Sequence, residues 1–84
     1  MRRSEYNKMI VKYSKQSIKF LSKQDKTTRI RIVEAINKLP QGDVKKLQGQ
    51  ENYRLRVGDY RIIFDKNGEI LYIEKTDNRG QVYK

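Results

Sequence analysis

The stretch Asn52-Tyr-Arg-Leu-Arg-Val-Gly-Asp-Tyr-Arg-Ile-Ile-Phe64 constrains the fold more than any other part of the chain. Apolar and polar residues alternate on both sides of Gly58-Asp59, as in two half-buried strands joined by a two-residue turn. A glycine at the first central position suits a type II′ turn, which needs positive φ there. With that turn, Val57 faces Tyr60, Arg56 faces Arg61, Leu55 faces Ile62 and Tyr53 faces Phe64. Side chains alternate across a strand, so Arg54, Arg56 and Arg61 share one face, and Tyr53, Leu55, Val57, Tyr60, Ile62 and Phe64 the other. Like charges opposite one another destabilise a sheet. Three arginines gathered this way imply an anionic partner.

The rest of the chain fills in around this hairpin. Residues 1–7 carry no pattern and read as a loose end. The alternation from Lys8 to Tyr13 predicts a first strand. Ser14 is placed to cap a short helix reaching Lys23, with Ile18 and Leu21 on its buried side. Asp25 or Thr27 caps a second helix that runs to Leu39 and stops at Pro40. Its apolar residues are Ile30, Val33, Ile36 and Leu39, with Ile32 and Ala35 beside them. The short connection makes the helices an antiparallel pair. Their exposed faces hold Lys15, Lys19, Lys23, Lys26, Arg29, Arg31 and Lys38, which read as solvated charge.

Gln41–Glu51 reads as a loop, with Val44 and Leu47 tucked down and Lys45 and Lys46 pointing out. Asn67-Gly68 predicts a second hairpin turn. With that pair central, Lys66 faces Glu69, Phe64 faces Leu71, Ile63 faces Tyr72, Ile62 faces Ile73 and Arg61 faces Glu74. Leu71 and Ile73 join the apolar side, and Tyr72 and Glu74 join the arginines. Thr76–Lys84 reads as a turn and a short extended tail. The expected fold is α+β: an N-terminal strand, a two-helix antiparallel hairpin, then a three-stranded antiparallel meander with the helices on one sheet face. At 84 residues, 1–84 makes one domain.

The chain carries 20 Lys and Arg against 10 Asp and Glu, a net charge of +10 that points to nucleic acid or another polyanion. It has neither cysteine nor histidine, which removes disulfides, thiolate metal sites, the commonest metal ligand and the usual base near neutral pH. No apolar run approaches the roughly 18 residues of a membrane span, and no signal-peptide pattern opens the sequence. A cytoplasmic location is therefore expected, with no membrane partner.

Arginine forks match phosphate oxygens, and Tyr72 and Tyr83 are available to stack on bases, so the polar face reads as a single-stranded RNA site. Lys45 and Lys46 extend it. The simpler alternative pairs Glu74 with Arg61 and leaves the other arginines solvated. RNA can be cut when its own 2′-hydroxyl attacks the adjacent phosphate. That requires a proton acceptor, stabilisation of the phosphorane charge, and protonation of the leaving oxygen. Arginine meets the second need and the other two poorly. Glu74 and Tyr83 are the candidate proton carriers.

Tyr53-Arg-Leu-Arg-Val-Gly-Asp-Tyr-Arg-Ile-Ile-Phe64, followed by Arg79-Gly-Gln-Val-Tyr83, resembles the RelE-type toxins of the RelE/ParE toxin–antitoxin superfamily. The similarity runs from about Lys8 to Lys84. The resemblance implies a ribosome-dependent endonuclease that enters the ribosomal A site and cuts mRNA there through the 2′-hydroxyl, without a metal or small-molecule cofactor. It implies that Arg54 and Arg56 are the two basic residues of the central strand, one linked to proton transfer. Arg61 would hold the scissile phosphate, Arg79 would supply the C-terminal charge, and Tyr83 would stack on the substrate base. Arg56 stands where some members have lysine, and Asp77 where some carry a further basic residue. A cognate antitoxin that covers the basic face is implied as partner. The same superfamily offers a ParE-like inhibitor of DNA gyrase, or an RNA-binding inactive relative, as alternatives; Arg61 and the Arg79…Tyr83 pair favour the nuclease.

Overall fold

A computed structural model describes residues 10–49 and 51–78. Strand β1 (Ile10–Tyr13) leads into helices α1 (Lys15–Ser22) and α2 (Lys26–Asn37). Strands β2 (Asp43–Lys46), β3 (Tyr53–Val57), β4 (Tyr60–Asn67) and β5 (Ile70–Asn78) follow. The five strands form one sheet in the order β1-β5-β4-β3-β2, with β1 parallel to β5 and the remaining pairs antiparallel. The architecture is α+β, with a strand, two helices and then an antiparallel meander. Among the described residues no helix is long and apolar enough to cross a membrane.

The first hairpin forms as its alternation dictates. Val57 pairs Tyr60, Arg56 pairs Arg61, Leu55 pairs Ile62 and Tyr53 pairs Phe64. Gly58 has φ +58° and no non-glycine residue described has positive φ, so the turn is of the II′ kind. A Cβ on Gly58 would also lie 2.8 Å from Nη2 of Arg31, whose guanidinium reaches the turn from α2.

The second hairpin is corrected in two ways. Its central pair is Gly68-Glu69, not Asn67-Gly68, because Asn67 pairs with Ile70. The positive φ falls on Gly68 (+62°), which spares Asn67 a left-handed conformation. Moving the turn by one position shifts each pairing by two residues, so Phe64 meets Ile73 and the faces are preserved. A β-bulge then interrupts the ladder between Ile63 and Phe64: Phe64 pairs Ile73, Ile63 pairs Lys75, and Glu74 is the extra residue. Beyond it Ile62 pairs Thr76 and Arg61 pairs Asp77, so Arg61 does not face Glu74. The segment read as a turn after Thr76 remains strand to Asn78.

The start of α1 holds this bulge. Ser14 caps the helix by accepting from the Ser17 amide at 3.1 Å, and its hydroxyl donates to the Glu74 carbonyl at 2.7 Å. Its amide donates to the Ile73 carbonyl at 2.9 Å. Strand β1 has ended by Tyr13, and the Gln16 side chain continues its hydrogen bonding. Gln16 Nε2 donates to the Thr76 carbonyl at 2.8 Å, and Oε1 accepts from the Thr76 amide at 2.9 Å. Thr76 Oγ1 donates to Ser17 Oγ at 3.0 Å within the core.

That anchoring sets the helical phase. Ser17 and Leu21 face the sheet, and Ile18, expected on the buried side, is 56% exposed. In α2 the buried residues are Ile32 and Ile36, four apart, with Leu39 just beyond the helix end. Ile30 lies two residues from Ile32, about 200° around the helix, and is exposed. Arg29 is not a solvated charge, since its Nη1 donates to the Gln24 carbonyl at 2.9 Å and closes the end of α1. Leu21, Ile32, Ile36, Leu39, Leu55, Val57, Ile62, Phe64, Leu71 and Ile73 form the core between helices and sheet.

Gln41–Glu51 is not only a loop. It contains β2, an edge strand antiparallel to β3 that opposes Val44 to Leu55. Its two lysines are a common device for blunting an edge against further pairing. Residues 1–9, and with them the start of the expected first strand, lie outside the described residues, as do Arg79, Val82 and Tyr83.

Ile32→Ala should lower unfolding stability by about 2–5 kcal/mol, whereas Ile30→Ala should change it by less than about 1 kcal/mol, both read from urea unfolding midpoints. Gln16→Ala removes both partners of the Thr76 backbone and should cost about 1–3 kcal/mol by the same measurement.

Candidate nucleic-acid interface

The sheet face turned away from the helices is organised in cross-strand rows. One row runs Asp43–Arg56–Arg61–Asp77 across β2, β3, β4 and β5, and the next runs Lys45–Arg54–Ile63–Lys75. The first row brings two arginines directly opposite each other and places a carboxylate at each end. The second is basic apart from Ile63. The bulge creates this arrangement, because an unbroken ladder from Phe64–Ile73 would put Thr76, not Asp77, opposite Arg61.

The ion pairs follow the rows. Arg61 Nη2 lies 3.1 Å from Asp77 Oδ2, and Lys75 Nζ lies 3.9 Å from the same oxygen. Asp43 is 3.7 Å from both Arg54 Nη2 and Arg56 Nε, too far for a hydrogen bond to either. The arginine side chains are 18%, 37% and 33% exposed at Arg54, Arg56 and Arg61, so each lies partly covered against the sheet. The Nε atoms of all three arginines are shielded from solvent and have no hydrogen-bond partner among the described residues, and neither has Asp77 Oδ1. A shielded, unpaired donor costs free energy. Three such donors on one face are suited to an anion's oxygens.

The other expected residues are distributed as follows. Glu74 is on this side, and its Oε2 accepts from Asn52 Nδ2 at 2.6 Å; it does not pair with Arg61. Tyr72 is 39% exposed and sits in the row Lys12–Tyr72–Asp65. Lys45 stands opposite Arg54, but Lys46 stands opposite Tyr53 and so belongs to the other face. The alternation of β2 separates two lysines that a loop would have left together. Arg79 and Tyr83 lie outside the described residues. Asp43, Asn52 and Lys75 were not singled out from sequence as parts of this face, and Asp77 was noted only as standing where some relatives carry a basic residue. Asp43-Val44-Lys45 does alternate polar and apolar, the one local signal that β2 offered. Among the described residues no group of three or more carboxylates is placed to hold a metal ion.

A face with three arginines as its principal cations should bind short single-stranded RNA with strong salt dependence. Each phosphate neutralised contributes about 0.7 to the slope of log affinity against log salt. Arg56→Gln should reduce that slope by about 0.7, and Asp43→Asn should strengthen binding, both measurable by fluorescence anisotropy across a salt series.

No family model matches the chain. Toxin RelE3 of Methanocaldococcus jannaschii is 40% identical over 42 residues, a stretch covering 49% of this chain and 48% of that protein, so the match spans about half of each. Among solved structures, a chain of the archaeal RelE–RelB complex from Pyrococcus horikoshii OT3 superposes with a TM-score of 0.73 at 32% identity, covering 88% of this chain and 98% of the other. A chain of the RelB–RelE antitoxin–toxin complex from Methanococcus jannaschii gives a TM-score of 0.68 at 29% identity, covering 84% and 93%.

Proposed function

The chain belongs to the RelE family of toxins, and from that premise we propose that it is a ribosome-dependent mRNA endonuclease whose arginine face engages the scissile phosphate. The observation that carries this reading is the convergence of Arg54, Arg56 and Arg61 on one sheet face with all three Nε donors shielded and unpartnered among the described residues. Cleavage proceeds by attack of the ribose 2′-oxygen on the adjacent phosphorus. The bond from phosphorus to the 5′ oxygen of the next nucleotide breaks. The products are a 2′,3′-cyclic phosphate and a 5′-hydroxyl.

The phosphorane formed on the way carries more negative charge than the starting diester. Arginines fixed on strands stabilise that charge without having to reorganise when it appears. Arg61 is the closest match to a phosphate clamp, since it sits centrally in its row and a carboxylate holds its orientation at 3.1 Å. Arg54 and Arg56 widen the basic field on β3. Arg79 and Tyr83 would complete the site, one with charge and the other by stacking on the substrate base. Tyr72 and Lys45 lie on the same face and suit contacts to flanking nucleotides.

The solved relatives are complexes of RelE with RelB, and by that likeness a cognate antitoxin is the protein partner of this chain. The net charge of +10 favours an acidic segment laid on the basic face. Ribosome and mRNA as targets place the activity in the cytoplasm.

Primer extension on an mRNA in a purified translation system tests the reading. Cuts are expected only when ribosomes are present, and mRNA left intact on ribosomes would overturn it. Arg61→Ala should lower cleavage by about 100-fold or more while leaving the fold intact, because removal of a charge-stabilising donor typically has that effect.

A further inference from the structure

The arginine face supplies charge in abundance, and its proton acceptor must be found among its carboxylates. Four described carboxylates lie on it: Asp43, Asp65, Glu74 and Asp77. Glu74 is committed to the Asn52 amide at 2.6 Å. Asp65 stands in the Tyr72 row, away from the arginine pair. Asp43 is 54% exposed and serves two arginines at 3.7 Å. Asp77 alone shares a ladder pairing with Arg61, is only 21% exposed, and keeps one oxygen shielded and without a partner among the described residues.

Resting on the ribonuclease reading, we propose that Asp77 is a catalytic residue, the base that takes the proton from the attacking 2′-hydroxyl. Oδ2 is bound to Arg61, and Oδ1 is shielded from solvent and has no hydrogen-bond partner among the described residues, so its accepting capacity is unused in the fold. On this proposal the carboxylate turns Oδ1 out of its shielded position toward the ribose next to a phosphate held by Arg61. The proton passes to Oδ1 as the 2′-oxygen bonds to phosphorus. The phosphorus–oxygen bond to the next nucleotide then breaks, and the departing 5′ oxygen takes a proton from water. Asp77 afterwards returns its proton to solvent, which closes the balance.

The charged groups around Asp77 fit this role. Arg61 faces it from β4, Lys75 approaches Oδ2 to 3.9 Å from β5 itself, and Arg56 and Asp43 follow along the row on β3 and β2.

The test uses Asp77→Asn and Asp77→Ser in ribosome-dependent cleavage, together with binding of an mRNA whose scissile nucleotide lacks the 2′-hydroxyl. Both variants should cleave about 100-fold or more slowly, the range lost with a general base, while binding the uncleavable mRNA on ribosomes at least as tightly as the parent does. Asp77→Glu should recover part of the rate. Near-parental cleavage by either variant would overturn the assignment, as would a loss of binding that matches the loss of cleavage. A parent protein that leaves ribosomal mRNA intact would defeat the nuclease reading and this one with it, whereas a cleaving parent and a cleaving Asp77→Asn defeat this one alone.

Discussion

The outer face depends on a single irregularity, the bulge at Glu74 in β5. Before it, β5 alternates Leu71 and Ile73 inward with Tyr72 outward. Continued without interruption, the alternation would turn Lys75 into the core opposite Ile62. The extra residue reverses the parity. Lys75 and Asp77 move to the outer face and Thr76 turns inward, fully buried. Keeping Lys75 out of the core favours the bulge from within β5, and the start of α1 holds it. Ser14, Gln16 and Ser17 at the start of α1 bond to Ile73, Glu74 and Thr76 across about 60 residues of sequence. The helix start therefore positions a charge on the opposite side of the sheet.

The row this creates is balanced electrostatically more than it is stabilising. Arg56 and Arg61 oppose each other, a placement that weakens a sheet, and Asp43 and Asp77 offset it from the two ends. Surface pairs of this kind contribute about 0–1 kcal/mol each. Such a row holds the guanidiniums in register without satisfying them, as the Nε atoms of Arg56 and Arg61, unpartnered among the described residues, record. On the proposed ribonuclease reading, an entering phosphate would meet donors that are already oriented and only weakly engaged. Preorganisation of this sort lowers the cost of binding and lets charge stabilisation act in the transition state.

How much of this was legible in the sequence followed how local each determinant was. The first hairpin was readable pair by pair because one glycine and a strict alternation fix its register. The three arginines came with it, and the family resemblance that rests on this stretch was borne out by the solved relatives. The α+β order and the Ser14 cap were readable for the same reason. The second hairpin was not, since Asn67-Gly68 and Gly68-Glu69 both offer a glycine and differ only in where it falls. The bulge was invisible, because the groups that hold it lie at the other end of the chain. Ile18 and Ile30 look like core residues by helical spacing, yet the polar anchoring of Ser17 and the Ile32–Ile36 stripe turn them outward. β2 is four residues with two lysines, too short and polar to stand out, and Asp43 was missed with it.

The central claim is that this arginine face promotes attack of the 2′-hydroxyl on a phosphate of ribosome-bound mRNA. The chemical ends of the cut RNA report on it most directly. Mass spectrometry of fragments released from programmed ribosomes should show a 2′,3′-cyclic phosphate on the upstream piece and a 5′-hydroxyl on the downstream piece. A 3′-hydroxyl facing a 5′-phosphate would contradict it, because those ends require water rather than the ribose as nucleophile.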